Sequence, residues 1–247
     1  MSQATLLLTR SIDDNTQWAQ ALKVRGIQSR SVPCILCETN LAPGLEGEVR
    51  AALANADWLA LTSRRGARAV QRLIGHDLGE TRVICVGKTT AAAARTLLGC
   101  EPVVSAEATA LGLARTLLNV EPHPASTTVV IAAADRANTA MDTPLAEAGL
   151  KIKRFPVYRT RAVQPGELPP PDLADVDAIL LASPSAAEGL ANLLGHTVLT
   201  PVITIGPTTT QAARRKGFSV AAEAQSRGLE GLVAAFEKSL TQRPIQH

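Results

Sequence analysis

Hydroxyl-bearing and cationic residues recur at one kind of place in this chain, directly after a short apolar run and directly before a helix-forming one. The set comprises Thr9 and Arg10; Thr62, Ser63 and Arg65; Gly87, Lys88 and Thr89; Asp135 and Arg136; Ser183 and Ser185; and Gly206, Thr208 and Thr209. At a helix start four backbone N–H groups lack an intrahelical partner and the helix dipole adds partial positive charge. Such places receive carboxylates or phosphates. The set is poor in carboxylates, histidines and thiols. It offers no nucleophile–base pair, no metal-ligand cluster and no strong general base. These residue types suit holding a polyanion better than attacking a bond.

Each member also has a purely structural reading. Ser or Thr before a helix commonly caps it. Arg10, Arg65 and Lys88 can be solvated surface charges, and Asp135 can cap a helix or pair with Arg136. Tyr158, the only tyrosine, can be half-buried packing on a strand. Nucleotide motifs fail. Gly87-Lys88-Thr89 ends like a P-loop, but Arg82 stands where that loop needs its first glycine, and no G-x-G-x-x-G follows the first strand. Cys34 and Cys37 have the C-x-x-C form without a second pair: a whole helix separates Cys85 from Cys100, and the four histidines are scattered. All four cysteines are therefore expected to be buried, reduced thiols rather than zinc ligands.

The elements that must position these residues follow one rhythm. Thr200 to Gly217 reads as a β-branched strand, a break at Gly206-Pro207, and a helix stopping at Gly217. The same phrase occurs 119 residues earlier around Gly87, and Asp57 to Ser63 is echoed by Asp177 to Ser183, 120 residues on. Leu6, Leu22, Gly26 and Pro33 match Val129, Leu145, Gly149 and Pro156, each 123 later. The period is too long for a solenoid and predicts two similar α/β domains. Strand–helix alternation predicts parallel sheets with right-handed crossovers. A helix ending near Gly149 is expected after the Thr127 strand, and a strand over 218–220. Gln164 to Asp172 reads as a Pro-rich linker, and the tail after Leu240 as frayed. Pattern allows either a split near Val120 or an interleaved arrangement. In the latter, the extended segments 33–40 and 156–161 bridge one domain of 1–34 plus 162–240 and another of 38–157.

The composition is that of a globule: 247 residues, 46% hydrophobic, 19% charged, net charge +3. Aromatics are only 2%, which argues against a base-stacking nucleic-acid surface. No run approaches ~18 apolar residues, so no membrane span is expected. The first residues lack the features of a signal peptide, and the cytoplasm is the expected location.

Several phrases, in order and over nearly the whole chain, resemble the uroporphyrinogen-III synthase family: Leu8-Thr9-Arg10, Leu61-Thr62-Ser63-Arg64-Arg65, Val157-Tyr158-Arg159-Thr160, Ala182-Ser183-Pro184-Ser185-Ala186, Ile205-Gly206-Pro207-Thr208-Thr209 and Gly228-Leu229-Glu230-Gly231-Leu232. The resemblance implies the interleaved architecture, two flavodoxin-like α/β domains joined by a two-stranded ladder with the active site in the cleft between them. It implies conversion of hydroxymethylbilane, a linear tetrapyrrole with eight carboxylates, to uroporphyrinogen III. In that reaction water is lost, the last pyrrole ring inverts through a spiro intermediate, and the macrocycle closes. No metal or organic cofactor is implied, nor any nucleic acid or membrane partner. The implied state is a monomer that meets the preceding pathway enzyme transiently. Tyr158 matches the tyrosine thought to assist departure of the hydroxyl. Thr208, Thr209, Ser183 and Ser185 match substrate-lining positions, and Arg65 and Arg10 basic cleft positions. The chain departs from the family at Ala137-Asn138, where a Gly-Arg pair often opens a helix; Arg136 is the neighbouring cation. Two rival readings stand beside this one, a non-catalytic two-domain protein closing on an anionic small molecule and a transferase holding phosphate at its helix starts.

Overall fold

The computed structural model describes residues 4–195 and 198–241. In chain order the strands are β1 (Thr5–Leu8), β2 (Gln28–Ser31), β3 (Ile35–Thr39), β4 (Trp58–Leu61), β5 (Arg82–Cys85), β6 (Val103–Val104), β7 (Thr128–Ala134), β8 (Lys151–Ala162), β9 (Ala178–Leu181), β10 (Val202–Thr204) and β11 (Val220–Glu223). The helices are α1 (Ile12–Val24), α2 (Leu45–Leu53), α3 (Arg64–Ile74), α4 (Lys88–Leu98), α5 (Ala110–Val120), α6 (Asp142–Glu147), α7 (Pro184–Leu194), α8 (Pro207–Arg215) and α9 (Leu229–Thr241). One sheet runs β11-β10-β9-β1-β2, the other β3-β8-β7-β4-β5-β6.

The central strands are continuous apolar runs because both faces of each sheet are covered. β1, β4 and β9 are buried at all four positions. Alternate side chains feed opposite cores. In β4, Leu59 and Leu61 join one cluster while Trp58 and Ala60 join the other. In β1, Leu7 joins one and Leu6 and Leu8 the other. Neighbours are in parallel register, with Trp58 opposite Val129 and Leu6 opposite Ala178.

Contacts divide the chain into two compact units, unit 1 being Met1–Leu36 with Arg161–His247 and unit 2 being Cys37–Thr160. The chain passes from one unit to the other twice, within β3 and within β8. The Pro-rich stretch 164–172 is irregular and belongs to unit 1.

Three local expectations need correction. The helix after β7 ends at Glu147, near Gly149 as expected, but begins only at Asp142 and not at Ala137-Asn138. Pro144 would clash with a helical carbonyl four residues before it, and Asn138 Oδ1 accepts the Ala140 N–H instead, turning the backbone locally. Asp135 therefore caps no helix. Secondly, the strand expected over 218–220 is displaced to Val220–Glu223 because Phe218 closes α8. Its N–H donates to Ala213 O at 3.0 Å past left-handed Gly217 (φ +84°), and its ring is buried. Thirdly, Cys34 and Cys85 are buried free thiols, but Cys37 is exposed and Cys100 intermediate. Ile35 packs in a core of unit 1, whereas Cys37 is the residue at which β3 has passed into unit 2 and left that core behind. The tail expected to fray lies, beyond Thr241, outside the described residues.

Candidate functional site

In unit 2 the chemistry gathers at the carboxyl ends of β4 and β5, with Leu61 and Cys85 side by side in the ladder. Ser63, the N-cap of α3, accepts the Gly66 N–H at 3.0 Å. A Cβ on Gly66 would stand 3.0 Å from Ala132 O, so glycine lets the first turn of α3 lie against β7. Thr62 and Arg65 flank the cap, both part-buried. Next to it, Gly87 is the extended N-cap of α4, followed by exposed Lys88 and Thr89. Neither helix has an acidic residue in its first turn.

Tyr158 arrives there through a bulge. Ala133 pairs with Pro156 but Ala134 pairs with Tyr158, so the register slips by one. Pro156 has no N–H to give the ladder, and the extra residue re-aims the next side chain. In consequence Val157 and Tyr158, consecutive on one strand, both enter the same core cluster. The Tyr158 ring is 8% exposed, and its hydroxyl lies 3.0 Å from Ser63 Oγ. Ser63 Oγ already accepts from Gly66. If it donates its own proton to Tyr158, the phenolic O–H is left to donate outward. The Tyr158 hydroxyl is thus hydrogen-bonded as well as packed.

In unit 1 an open depression of about 440 Å³ lies at the starts of α7 and α8. It brings together Ser183, Gly206, Thr208 and Thr209, with Pro184 and Pro207 at the first helical positions. Ser183 caps α7 through the Ala186 N–H at 3.1 Å, Thr208 is exposed and Thr209 buried. Ser185 sits in the first turn of α7 but does not line the depression. Arg10 is engaged within its own segment: it pairs with Asp14 at 3.1 Å and lies 4.7 Å over the Trp18 ring.

Two features escape sequence reasoning. Gln225, Ser226 and Arg227 complete the depression; the clue is Gly231, which repeats Gly112 at the 119-residue offset and aligns their loops. Thr204 Oγ1 lies 2.6 Å from Thr210 Oγ1, which donates to Glu223 and ties the first turn of α8 to β10 and β11. Since a hydroxyl has one proton, Thr204 donates to Thr210 when Glu223 takes the Thr210 proton.

The amino ends of the unit 2 strands are satisfied internally. Glu121 accepts from Trp58 Nε1 at 2.8 Å and pairs with Arg82 at 2.5 Å, and Arg82 lies 4.1 Å over the Trp58 ring. The Trp58 indole N–H, then the His123 N–H and Arg82, hold the Glu121 carboxyl at about 2 despite its burial. Among the described residues no group of three or more His, Cys, Asp or Glu could hold a metal ion, and no helix is long and apolar enough to cross a membrane.

The family model for uroporphyrinogen-III synthase HemD matches residues 16–234. No curated protein sequence matches the chain. Among solved structures, uroporphyrinogen-III synthetase from Helicobacter pylori is 13% identical with a TM-score of 0.58, covering 98% of this chain and 100% of that one. A mutant uroporphyrinogen III synthase from Thermus thermophilus is 16% identical with a TM-score of 0.51, covering 97% and 100%. At these identities the likeness is one of fold.

Proposed function

The chain belongs to the uroporphyrinogen-III synthase family, and on that premise we propose that it closes hydroxymethylbilane to uroporphyrinogen III, with Tyr158 assisting loss of the hydroxyl. The observation that carries the role of Tyr158 is its hydrogen bond to Ser63. The run from Gly66 N–H to Ser63 to Tyr158 polarises each bond toward the next and leaves one phenolic proton for the departing oxygen. The C–O bond breaks as the pyrrole nitrogen pushes electrons in, the hydroxyl leaves as water, and an azafulvene remains. Its carbon then bonds to the last ring, which inverts through a spiro intermediate before the ring closes. The overall reaction is a cyclising loss of water, that of a lyase.

The carboxylates of the bilane are held by backbone N–H groups and side chains at the starts of α3, α4, α7 and α8. The residues in this role are Thr62, Ser63, Arg65, Gly87, Lys88, Thr89, Ser183, Ser185, Gly206, Thr208 and Thr209. The absence of acids from those first turns supports this assignment. Arg10, already paired with Asp14, steers rather than anchors. The linear bilane closes unaided to the type I isomer, so brief contact with the preceding enzyme in the cytoplasm shortens its exposure; the acting unit in this reading is a monomer. The test is product analysis. Incubation of hydroxymethylbilane with the protein should give the type III isomer, and type I alone, as without protein, would overturn the reading.

A further inference from the structure

We infer that Arg227 is a further substrate-binding residue, receiving a carboxylate of the bilane at the start of α8; this rests on the functional reading above. Arg227 lies in the loop between β11 and α9 and is the one charged side chain among the described residues lining the depression there. It is exposed and engages no described residue through a hydrogen bond or ion pair. A guanidinium beside two helix N-termini is electrostatically misplaced, since their partial positive charges repel it. Neither helix offers an acid in its first turn to offset this. An anion in the depression would be attracted by all three sources at once, and the planar guanidinium fork fits a carboxylate with two parallel hydrogen bonds.

The other unit supplies the contrast. The residue equivalent to Arg227, 119 positions earlier, is Ala108. There a Cβ on Gly87 would come 3.5 Å from the Ala108 Cβ, whereas a Cβ on Gly206 would find nothing within 4 Å. The start of α8 is open where the start of α4 is covered. Both loops are pinned alike from behind. A Cβ on Gly112 would meet Glu107 O at 2.6 Å, and one on Gly231 would meet Ser226 O at 1.9 Å. The backbone next to Arg227 is therefore held against α9, which lowers the entropy lost when a ligand engages its side chain.

The experiment compares the full chain with Arg227→Gln, Arg227→Lys and Arg227→Glu, following type III product from hydroxymethylbilane. In Arg227→Gln, KM should rise about three- to tenfold while kcat and melting temperature hold. Arg227→Lys should raise KM less and Arg227→Glu more. The KM of the wild type should climb with salt more steeply than that of Arg227→Gln. The same charge change at the far end of α8, Arg215→Gln, should move neither quantity. If Arg227→Gln keeps the wild-type KM and salt dependence, the inference fails while the functional reading stands. A wild-type chain that makes no type III isomer would bring down both, and is recognised before any variant is assayed.

Discussion

Asp57 Oδ2 accepts the Thr128 N–H at 2.8 Å, and Asp177 Oδ2 accepts the Thr5 N–H at 2.7 Å. Ser63 caps α3, and Ser183 caps α7. In these contacts the two units are copies. They part company at Tyr158, whose counterpart 123 positions earlier is Ile35, and at Thr204, Thr210 and Glu223, whose counterparts are Cys85, Ala91 and Val104. Unit 1 thus has a polar chain where unit 2 has apolar packing, and unit 2 has a phenol where unit 1 has an aliphatic side chain. What the duplicates share is the means of opening a helix at the end of a strand. What they do not share is the side chains each opening carries, and the one tyrosine falls to unit 2.

The sharpest way to break this contrast is Tyr158→Phe, which keeps the ring and makes position 158 as mute as Ile35. Turnover should fall by about ten- to a hundredfold with the melting temperature nearly unchanged, as single-turnover assays and thermal melts would read. An unchanged rate would return Tyr158 to packing and make the units equivalent in chemistry as well as in scaffold.

The shared scaffold is tested next by Gly112→Ala and Gly231→Ala. Each Cβ would strike backbone, at 2.6 Å from Glu107 O and 1.9 Å from Ser226 O. Both should lose about 1–3 kcal/mol, with Gly231→Ala the worse, in denaturant titrations. A neutral result at either would show that the loops are not held alike.

Ser63→Ala and Ser183→Ala remove equivalent caps and should each cost about 1 kcal/mol. Only Ser63→Ala should also lower kcat, because only Ser63 meets the phenol. Equal kcat losses would erase the distinction.

The smallest effect concerns Glu121, which has no counterpart in unit 1, position 240 being leucine. Its folded pKa, about 2, lies below the ordinary carboxylate value. The ionised form therefore adds stability above roughly pH 4–5 that is lost as pH falls toward 2. Glu121→Gln should cost about 0.5–1 kcal/mol at neutral pH and nothing near pH 2. Parallel stability profiles for variant and wild type across that range would refute the account.

The sequence made the parallel α/β class legible because β1, β4 and β9 are buried on both faces, and four-residue apolar runs announce that directly. The family was legible because most of its phrases fall at strand ends or helix starts, where geometry allows little variation. Tyr158 was legible as a residue but not as a partner of Ser63, 95 positions away, because a register slip at Pro156 decides which face it takes, and the proline signals a break in the ladder without naming the partner. Glu121, Trp58 and Arg82 stayed hidden for a related reason, their contacts joining three separate elements. The short α6 could have been read from Pro144. The loop at 225–227 required following the duplication one element further.

The double passage of the chain through β3 and β8 bears on synthesis. Unit 2 is one continuous stretch and has all its strands once β8 has emerged. Unit 1 must wait: β1 pairs with β9, Leu6 beside Ala178, so one edge of a strand with three consecutive leucines stays unpaired until its neighbour is made. At ~5–20 residues per second that interval is roughly ten to thirty seconds. During it Leu6, Leu7 and Leu8 form an adhesive segment, and a nascent chain stalled after unit 2 would present a finished globule tethered to a sticky, half-built one.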